Sequence, residues 1–191
     1  NLSAFAAEDN IVQFEQTNVM DDLETAGLAF GRLSAQFIRD KVVPELDAFR
    51  FASYCGISGV TKKEETLADG AATVAALSAA VTAMDDEEVT ATGRYLFITP
   101  TLLQGINDMD TTKSKKVLEG FEQVIKVPQR RFYTAIKQLS GKTGEEAGGY
   151  TKATGAANIN FAIVQKDALI QYTKHAAPKI IAPENNPDAD A

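Results

Sequence analysis

A long helical pattern in the first third of the chain restricts the fold more than any other feature. Apolar side chains recur every three or four residues between Leu23 and Phe37, which places them on one face of a helix. The pattern resumes at Leu46 and stops at Gly56, a residue type that commonly ends helices. We therefore predict a helix of about 30 residues over 21–55, about 45 Å long at 1.5 Å per residue.

Pro44 interrupts this pattern. Proline lacks the backbone N–H, and its ring disfavours helical angles at the preceding residue, Val43. Two alternatives stay open: the helix restarts with Pro44 in its first turn, or it kinks there. Arg32 and Arg39 lie outside the apolar stripe, so we expect them to be solvated or to face a partner.

An alanine-rich helix is predicted over residues 70–89, after a polar connection. Val74 and Leu77 mark its inner side, and it closes on four consecutive acidic residues at 85–88. Adjacent helical positions do not point to a common centre, and no EF-hand spacing follows. We interpret the acidic run as a solvated helix end and not as a cation site.

Residues 93–106, GRYLFITPTLLQGI, pass from a strand into a helix. The apolar run at 95–98 is typical of a central strand covered on both faces. Thr99 is placed to cap a helix that begins at Pro100. A phosphate-binding turn needs glycines, and a nucleophile elbow needs Gly-x-Ser-x-Gly. This corner has neither pattern, so we interpret it as architecture.

The second half of the chain is predicted to hold strands joined by loops. We predict a loop at 108–116, strands within 117–136, and a buried strand at 159–164 that turns into a short helix. Arg130 and Arg131 stand beside two aromatic residues. Because two arginines make a poor nucleic-acid patch in an acidic chain, we interpret them as a partner-facing salt-bridge site.

A glycine- and threonine-rich loop is predicted over residues 141–157. Its five glycines carry a high entropic cost of ordering, so we expect it to be exposed and mobile. Deleting 142–154 is accordingly expected to leave the melting temperature nearly unchanged. The GKTG at 141–144 imitates half of a phosphate-binding motif, but without the earlier glycine, preceding strand and following helix it is discounted.

The composition argues against several classes of protein. The 191 residues carry a formal net charge of -7, unlike a generic nucleic-acid binder. Cys55 is the only cysteine and His175 the only histidine, so the sequence supports no intrachain disulfide, zinc site or catalytic triad. No apolar run approaches the roughly 18 residues of a membrane span. We expect no catalytic, cofactor-binding or metal-binding residues, and we interpret Cys55 as a small buried hydrophobe.

Taken in order, these segments resemble the major capsid proteins of tailed bacteriophages with the HK97-like fold. Residues 21–56 are similar to the long spine helix of that family's peripheral domain, and 93–106 resemble the first strand–helix corner of its axial domain. Residues 120–134 and 158–191 resemble the later core of the axial domain and its exit toward the peripheral domain. The resemblance implies an α+β fold, with a long spine helix and a mixed α/β axial domain.

The same resemblance implies a division of the chain. Residues 1–55 would form part of the peripheral domain, 56–180 the axial domain, and 181–191 the exit segment. The family's N-terminal arm, extended β-hairpin loop and C-terminal strands have no recognisable counterpart. We therefore expect a core fragment that is monomeric or weakly associated by itself.

The function that the resemblance implies is structural and not enzymatic. The subunit would assemble with copies of itself, as hexamers and pentamers, into the icosahedral shell that encloses packaged double-stranded DNA. Its further partners would be a scaffold and a maturation protease, with no cofactor, no membrane and no sequence-specific DNA contact. It would be assembled in the bacterial cytoplasm and reside in the virion capsid. The candidate subunit-contact residues are Arg32, Arg39, Arg130, Arg131, Gly144, Gly148 and Gly149.

Two alternative functions stay open. An encapsulin-type compartment shares the fold and assembles around protein cargo, and nothing in the residues separates it from a phage head. An α/β enzyme with its active site in missing segments is compatible with the buried strands at 95–98 and 159–164. Capsid-sized particles would favour a shell, whereas a small oligomer stabilised by a ligand would favour an enzyme.

Overall fold

The computed structural model describes residues 28–145 and 147–170 and shows a mixture of helix and sheet, consistent with an α+β class. The helices are α1 (Leu28–Phe37), α2 (Val43–Gly56), α3 (Gly70–Asp86), α4 (Pro100–Asp108) and α5 (Thr112–Glu119). A π-helical segment covers Ile38–Val42, and 3-10 turns cover Gln129–Arg131 and Lys166–Ala168. The strands are β1 (Arg94–Ile98), β2 (Gln123–Lys126), β3 (Ile136–Gln138), β4 (Tyr150–Lys152) and β5 (Phe161–Gln165).

Contacts divide the chain into two units. Of the described residues, the smaller unit contains 28–43 and the segment Leu139–Gly149. The larger unit contains Pro44–Gln138 and 150–170. The larger unit therefore begins at Pro44. The assignment of peripheral, axial and exit domains stays a prediction.

The predicted helix over 21–55 is confirmed from residue 28 onward, since residues 28–56 are helical; 21–27 lie outside the described residues. Val43 keeps helical angles, with φ -60° and ψ -47°, so the expectation that proline would displace it is wrong. Its N–H donates to the carbonyl of Ile38, five residues back. This wider turn moves the preceding carbonyls away from the ring of Pro44, which can then stand in the first turn of α2.

The buried face of α2 differs from the predicted one. Leu46 and Phe49 are only half-buried, whereas Glu45 and Ala48 are buried. Phe51, three residues beyond Ala48, packs against the core on this same side. The face of α2 that packs against the core is therefore not the predicted one, and this buried face includes the carboxylate of Glu45.

The strand predicted at 95–98 is the centre of a three-stranded sheet of order β2-β1-β5. β1 pairs in parallel with β2 and antiparallel with β5. Leu96 and Ile98 are fully buried in a cluster with residues of α3 and α4, while Phe97 packs into a second cluster around Phe132. The prediction that this strand is covered on both faces is confirmed.

The strand–helix corner at Thr99 also forms as predicted, except that the Thr99 side chain makes no capping hydrogen bond. Thr99 is extended, with φ -66° and ψ 145°, and Pro100 occupies the first turn of α4. The predicted helix at 70–89 is confirmed as α3, with Val74 and Leu77 buried. The strand predicted at 159–164 is present as β5, which leads into a 3-10 turn, but its residues are half-buried and not buried as predicted.

Two predicted loops are wrong in part. Residues 112–116 belong to α5, which also includes 117–119 and so replaces the start of the predicted strand region. Thr111 and Ser114 form a capping box, which satisfies the first N–H groups of that helix.

The second correction concerns the glycine-rich segment 141–157. It contains β4, which pairs with β3, and Gly148 within it is buried. Deleting 142–154 would remove β4 and its ladder, so the expected neutrality of that deletion no longer holds. A strand of three residues beside several glycines gives too little periodicity to be recognised.

Candidate functional site

The candidate contact residues differ widely in exposure. In the smaller unit Arg32 and Arg39 are exposed, and Arg39 Nε lies 2.9 Å from Asp40 Oδ1. That adjacent carboxylate raises the pKa of Arg39. Gly144 is exposed, Gly148 is buried and Gly149 is half-buried. Arg32, Arg39 and Gly144 are therefore positioned where another molecule could reach them.

Arg130 and Arg131 lie together in a 3-10 turn but face different surroundings. Arg130 is exposed, whereas the side chain of Arg131 is 20 % exposed. Arg131 Nη1 lies 3.1 Å from Asp47 Oδ2 on α2. The salt bridge predicted for this pair thus has an intrachain partner at Arg131, and contact with another subunit stays a prediction.

A buried carboxylate lies close by in the sequence and was not anticipated. Glu45 is 2 % exposed, and its Oε1 accepts a hydrogen bond from Gln138 Nε2 at 3.1 Å. The hydroxyl of Tyr150 donates to the carbonyl of Arg130 at 2.9 Å. These bonds connect α2, the 3-10 turn and the β3–β4 hairpin, so the polar cluster fixes one end of the larger unit.

Aromatic packing supports this arrangement. The ring of Phe51 makes edge contacts with Phe132 and Phe97, with centroid separations of 4.7 Å and 5.4 Å. Phe132 is fully buried. Such pairs add about 0.5–1.5 kcal/mol beyond the burial of their surface. The sequence signal for this face is the apolar spacing Pro44, Ala48, Phe51, which was available but was outweighed by Leu46 and Phe49.

A second buried charge fixes the connection between α3 and β1. Arg94 is 2 % exposed, and its Nη2 lies 2.7 Å from Asp85 Oδ1. It also donates to the carbonyl of Thr90 at 3.1 Å and to that of Val89. Within this connection Glu88 has a φ of 57°, in the left-handed region. Asp85 is therefore paired, while residues 86–88 of the acidic run are exposed.

Cys55 is half-buried against the aromatic cluster, and burial raises the pKa of its thiol. A raised thiol pKa lowers the thiolate fraction at neutral pH, which supports the interpretation of Cys55 as a packing residue.

His175 lies outside the described residues. Residues 28–145 and 147–170 hold no cluster of three or more potential metal-binding side chains. In that same part of the chain, every helix is too short or too polar to cross a bilayer.

The raised pKa values predict a loss of stability at alkaline pH. Burial raises the pKa of Cys55, Tyr54 and Tyr150, whose ordinary values are 9.0 and, for both tyrosines, 10.0. Each neutral form is favoured in the folded chain, so the folded state holds more protons than the unfolded state between the ordinary pKa and the raised pKa of each group. We expect the melting temperature to be unaffected by these groups below about pH 8.5 and to fall progressively above pH 9.

Thermal unfolding followed by circular dichroism between pH 7 and 11 measures this effect. Cys55→Ala should remove the earliest part of the decline, near the thiol's ordinary pKa of 9.0, and leave the later tyrosine part. A melting temperature that rises between pH 9 and 11 would contradict the expected loss of stability.

Comparison with protein-family models, curated proteins and solved structures finds no significant match to this chain. The resemblance to phage capsid proteins accordingly stays a prediction from the sequence. The larger unit offers a sheet with a largely buried central strand, two buried charged side chains and an intrachain arginine–aspartate pair. These groups hold the helices and strands that carry them in fixed positions.

Proposed function

We propose that this chain is a structural subunit of an icosahedral bacteriophage head, a major capsid protein with the HK97-like fold. The supporting observation is the order of elements: helical residues 28–56 come before the three-stranded sheet built around the central strand β1. That order is the one the sequence resemblance requires. In the proposed arrangement helical residues 28–56 would supply lateral contacts, and the part of the chain that holds the sheet would approach the symmetry axes.

The packing and hydrogen bonds within the larger unit suit a subunit that assembles in many identical copies. Both faces of β1 are packed, and buried Glu45 and Arg94 each take part in specific hydrogen bonds at separate places in the unit. A buried polar group left without its bonds is costly, so such groups disfavour alternative packings. A subunit that keeps one shape can repeat the same contact around a ring.

The charge of the chain suits a wall around DNA. A net charge of -7 disfavours adhesion of the inner surface to packaged phosphates. Arg32, Arg39 and Arg130 are exposed and remain the proposed contacts to neighbouring copies. Scaffold and maturation protease belong to the same proposal, as does residence in the virion.

Expression of the complete reading frame that encodes this chain tests the proposal. We expect closed particles of capsid size by negative-stain microscopy and light scattering. Nuclease-protected DNA inside them would support a phage head, whereas protein cargo would replace that proposal with an encapsulin-type compartment. A small soluble oligomer whose melting temperature rises with a small molecule would overturn both shell functions in favour of an enzyme.

A further inference from the structure

The larger unit carries an open groove between α3 and α5. Its volume is about 580 Å³, within the range of clefts that hold small ligands or short peptide segments. Val81 and Val117 contribute apolar surface, and Lys113 and Lys116 line the α5 side. Both lysines are exposed, and neither has an ion-pair partner among the residues that the structure describes.

The neighbouring lysine on α5 is different. Lys115 Nζ lies 2.7 Å from Asp110 Oδ1, so its charge is paired within the chain. Lys113 and Lys116 are therefore the two cations of α5 that remain available to another molecule. Their placement three residues apart puts them on the same side of the helix.

Matching anions stand at the end of the other helix that forms the groove. Val81 and Thr82 line the groove, and α3 ends at Asp86, about one helical turn further on. Asp86 and Glu87 are exposed, and no described residue forms an ion pair with them. They lie on the same unit as the two lysines, yet no pair within 4.0 Å joins the two sets in one chain.

We propose that the groove binds the acidic end of α3 from a second copy of this chain. In a two-fold arrangement Asp86 and Glu87 of each copy would approach Lys113 and Lys116 of the other, so that the same contact forms twice. Such isologous contacts are the commonest symmetry of soluble assemblies. In a chain of net charge -7, general repulsion disfavours other approaches, and complementary patches select this one. The inference rests on the proposed function, because it names one contact through which the subunit would assemble.

The contact should be weak and strongly dependent on salt. The pairs are exposed, and exposed ion pairs are screened when the Debye length falls from about 10 Å at 0.1 M salt to about 3 Å at 1 M. We expect self-association of the chain in sedimentation experiments at low salt, weakened roughly tenfold or more at 1 M.

Charge exchange tests the pairing directly. Lys113→Glu with Lys116→Glu places anions opposite anions in a self-pair, and Asp86→Lys with Glu87→Lys places cations opposite cations. We expect neither variant to self-associate, and an equimolar mixture of the two to associate as the wild type does, since every contact in the mixed pair is again complementary. Lys126→Glu with Lys166→Glu is the matched control, because both lysines are exposed on the same unit outside the groove.

The outcomes separate this contact from the function on which it rests. A wild-type chain that stays monomeric at low salt, or a mixture that fails to restore association, overturns the contact. Loss of association in the control variant also overturns it, because net charge alone would then govern self-association. If the complete product forms particles while the mixture is not restored, the contact is wrong and the shell function stands. If the mixture restores association but the complete product forms no particles, the contact is supported and the proposed shell function is overturned.

Discussion

Replacement of Arg94 by methionine is expected to lower the free energy of unfolding by about 3 kcal/mol. The guanidinium lies almost fully inside the protein and donates to the main-chain carbonyls of Val89 and Thr90. Methionine fills similar volume but donates no hydrogen bond, so these carbonyls lose their donor. The same side chain holds Asp85, at the end of α3, against the first residue of β1.

Urea denaturation measures this loss, and thermal unfolding should show a drop of about 6–12 °C for a chain of this size. Asp85→Asn is the matched comparison, since the Asp85 side chain is 55 % exposed and the new amide oxygen can still accept from the Arg94 guanidinium. It leaves the buried cation without its counter-ion but keeps the buried donors, so it should cost less than Arg94→Met. Arg94→Lys keeps the charge but not the planar fork of donors, so it should fall between the two. If Asp85→Asn were as damaging as Arg94→Met, the ion pair and not the buried donors would hold this connection.

The elements that could be predicted from the sequence are those whose pattern is local and long. α3 has a repeating apolar stripe, and β1 is an apolar run followed by Thr99 and Pro100, so each carries its own start or stop signal. The helical stretch at 28–56 was recognised for the same reason. In these segments tertiary packing agrees with what the chain prefers locally.

The elements that were missed depend on signals that compete with one another. α5 has a run of lysines and a low apolar content, and only its capping box marks the start. β4 spans three residues and exists because β3 pairs with it across the sequence. The lysine run does not indicate a helix, and the glycines near β4 do not indicate its pairing with β3.

The burial of charged side chains was even harder to predict from the sequence. Glu45 follows Pro44, a position where an acidic residue usually stabilises a helix start from the solvent side. Its burial goes with a hydrogen bond from Gln138 of β3, a residue that is far away in sequence. The groove on α3 and α5 likewise depends on a helix that the sequence did not reveal, so its lysines could not be placed opposite any partner.

A pair of glycines gives the second large effect. Gly70 begins α3 and lies against Gly105 in the middle of α4. A Cβ added to Gly70 would stand 2.1 Å from the carbonyl oxygen of Gly105 and 2.6 Å from its carbonyl carbon. Those atoms belong to the backbone, so they cannot rotate away, and the two helices would have to separate.

Helix propensity favours alanine over glycine by about 1 kcal/mol in a helix interior, and by less at Gly70, the first residue of α3. The separation opposes this gain, because Val74 and Leu77 of α3 pack with Leu103 and Ile106 of α4 in the main core. Forced overpacking costs about 1–3 kcal/mol and occasionally more, and a backbone clash this close belongs at the upper end. We therefore expect Gly70→Ala to lower the free energy of unfolding by about 3 kcal/mol in urea denaturation.

Gly105→Ala is the matched control on the opposite side of the same contact. Its added Cβ would lie 3.4 Å from the nitrogen of Gly70 and 3.6 Å from its Cα, which is ordinary van der Waals separation. The propensity gain then acts nearly unopposed, so stability should stay unchanged or rise by up to about 1 kcal/mol. Equal and small effects of both substitutions would mean that α3 and α4 can shift apart at no cost. A large loss at Gly70 alone would identify its missing side chain as the condition that lets the two helices meet.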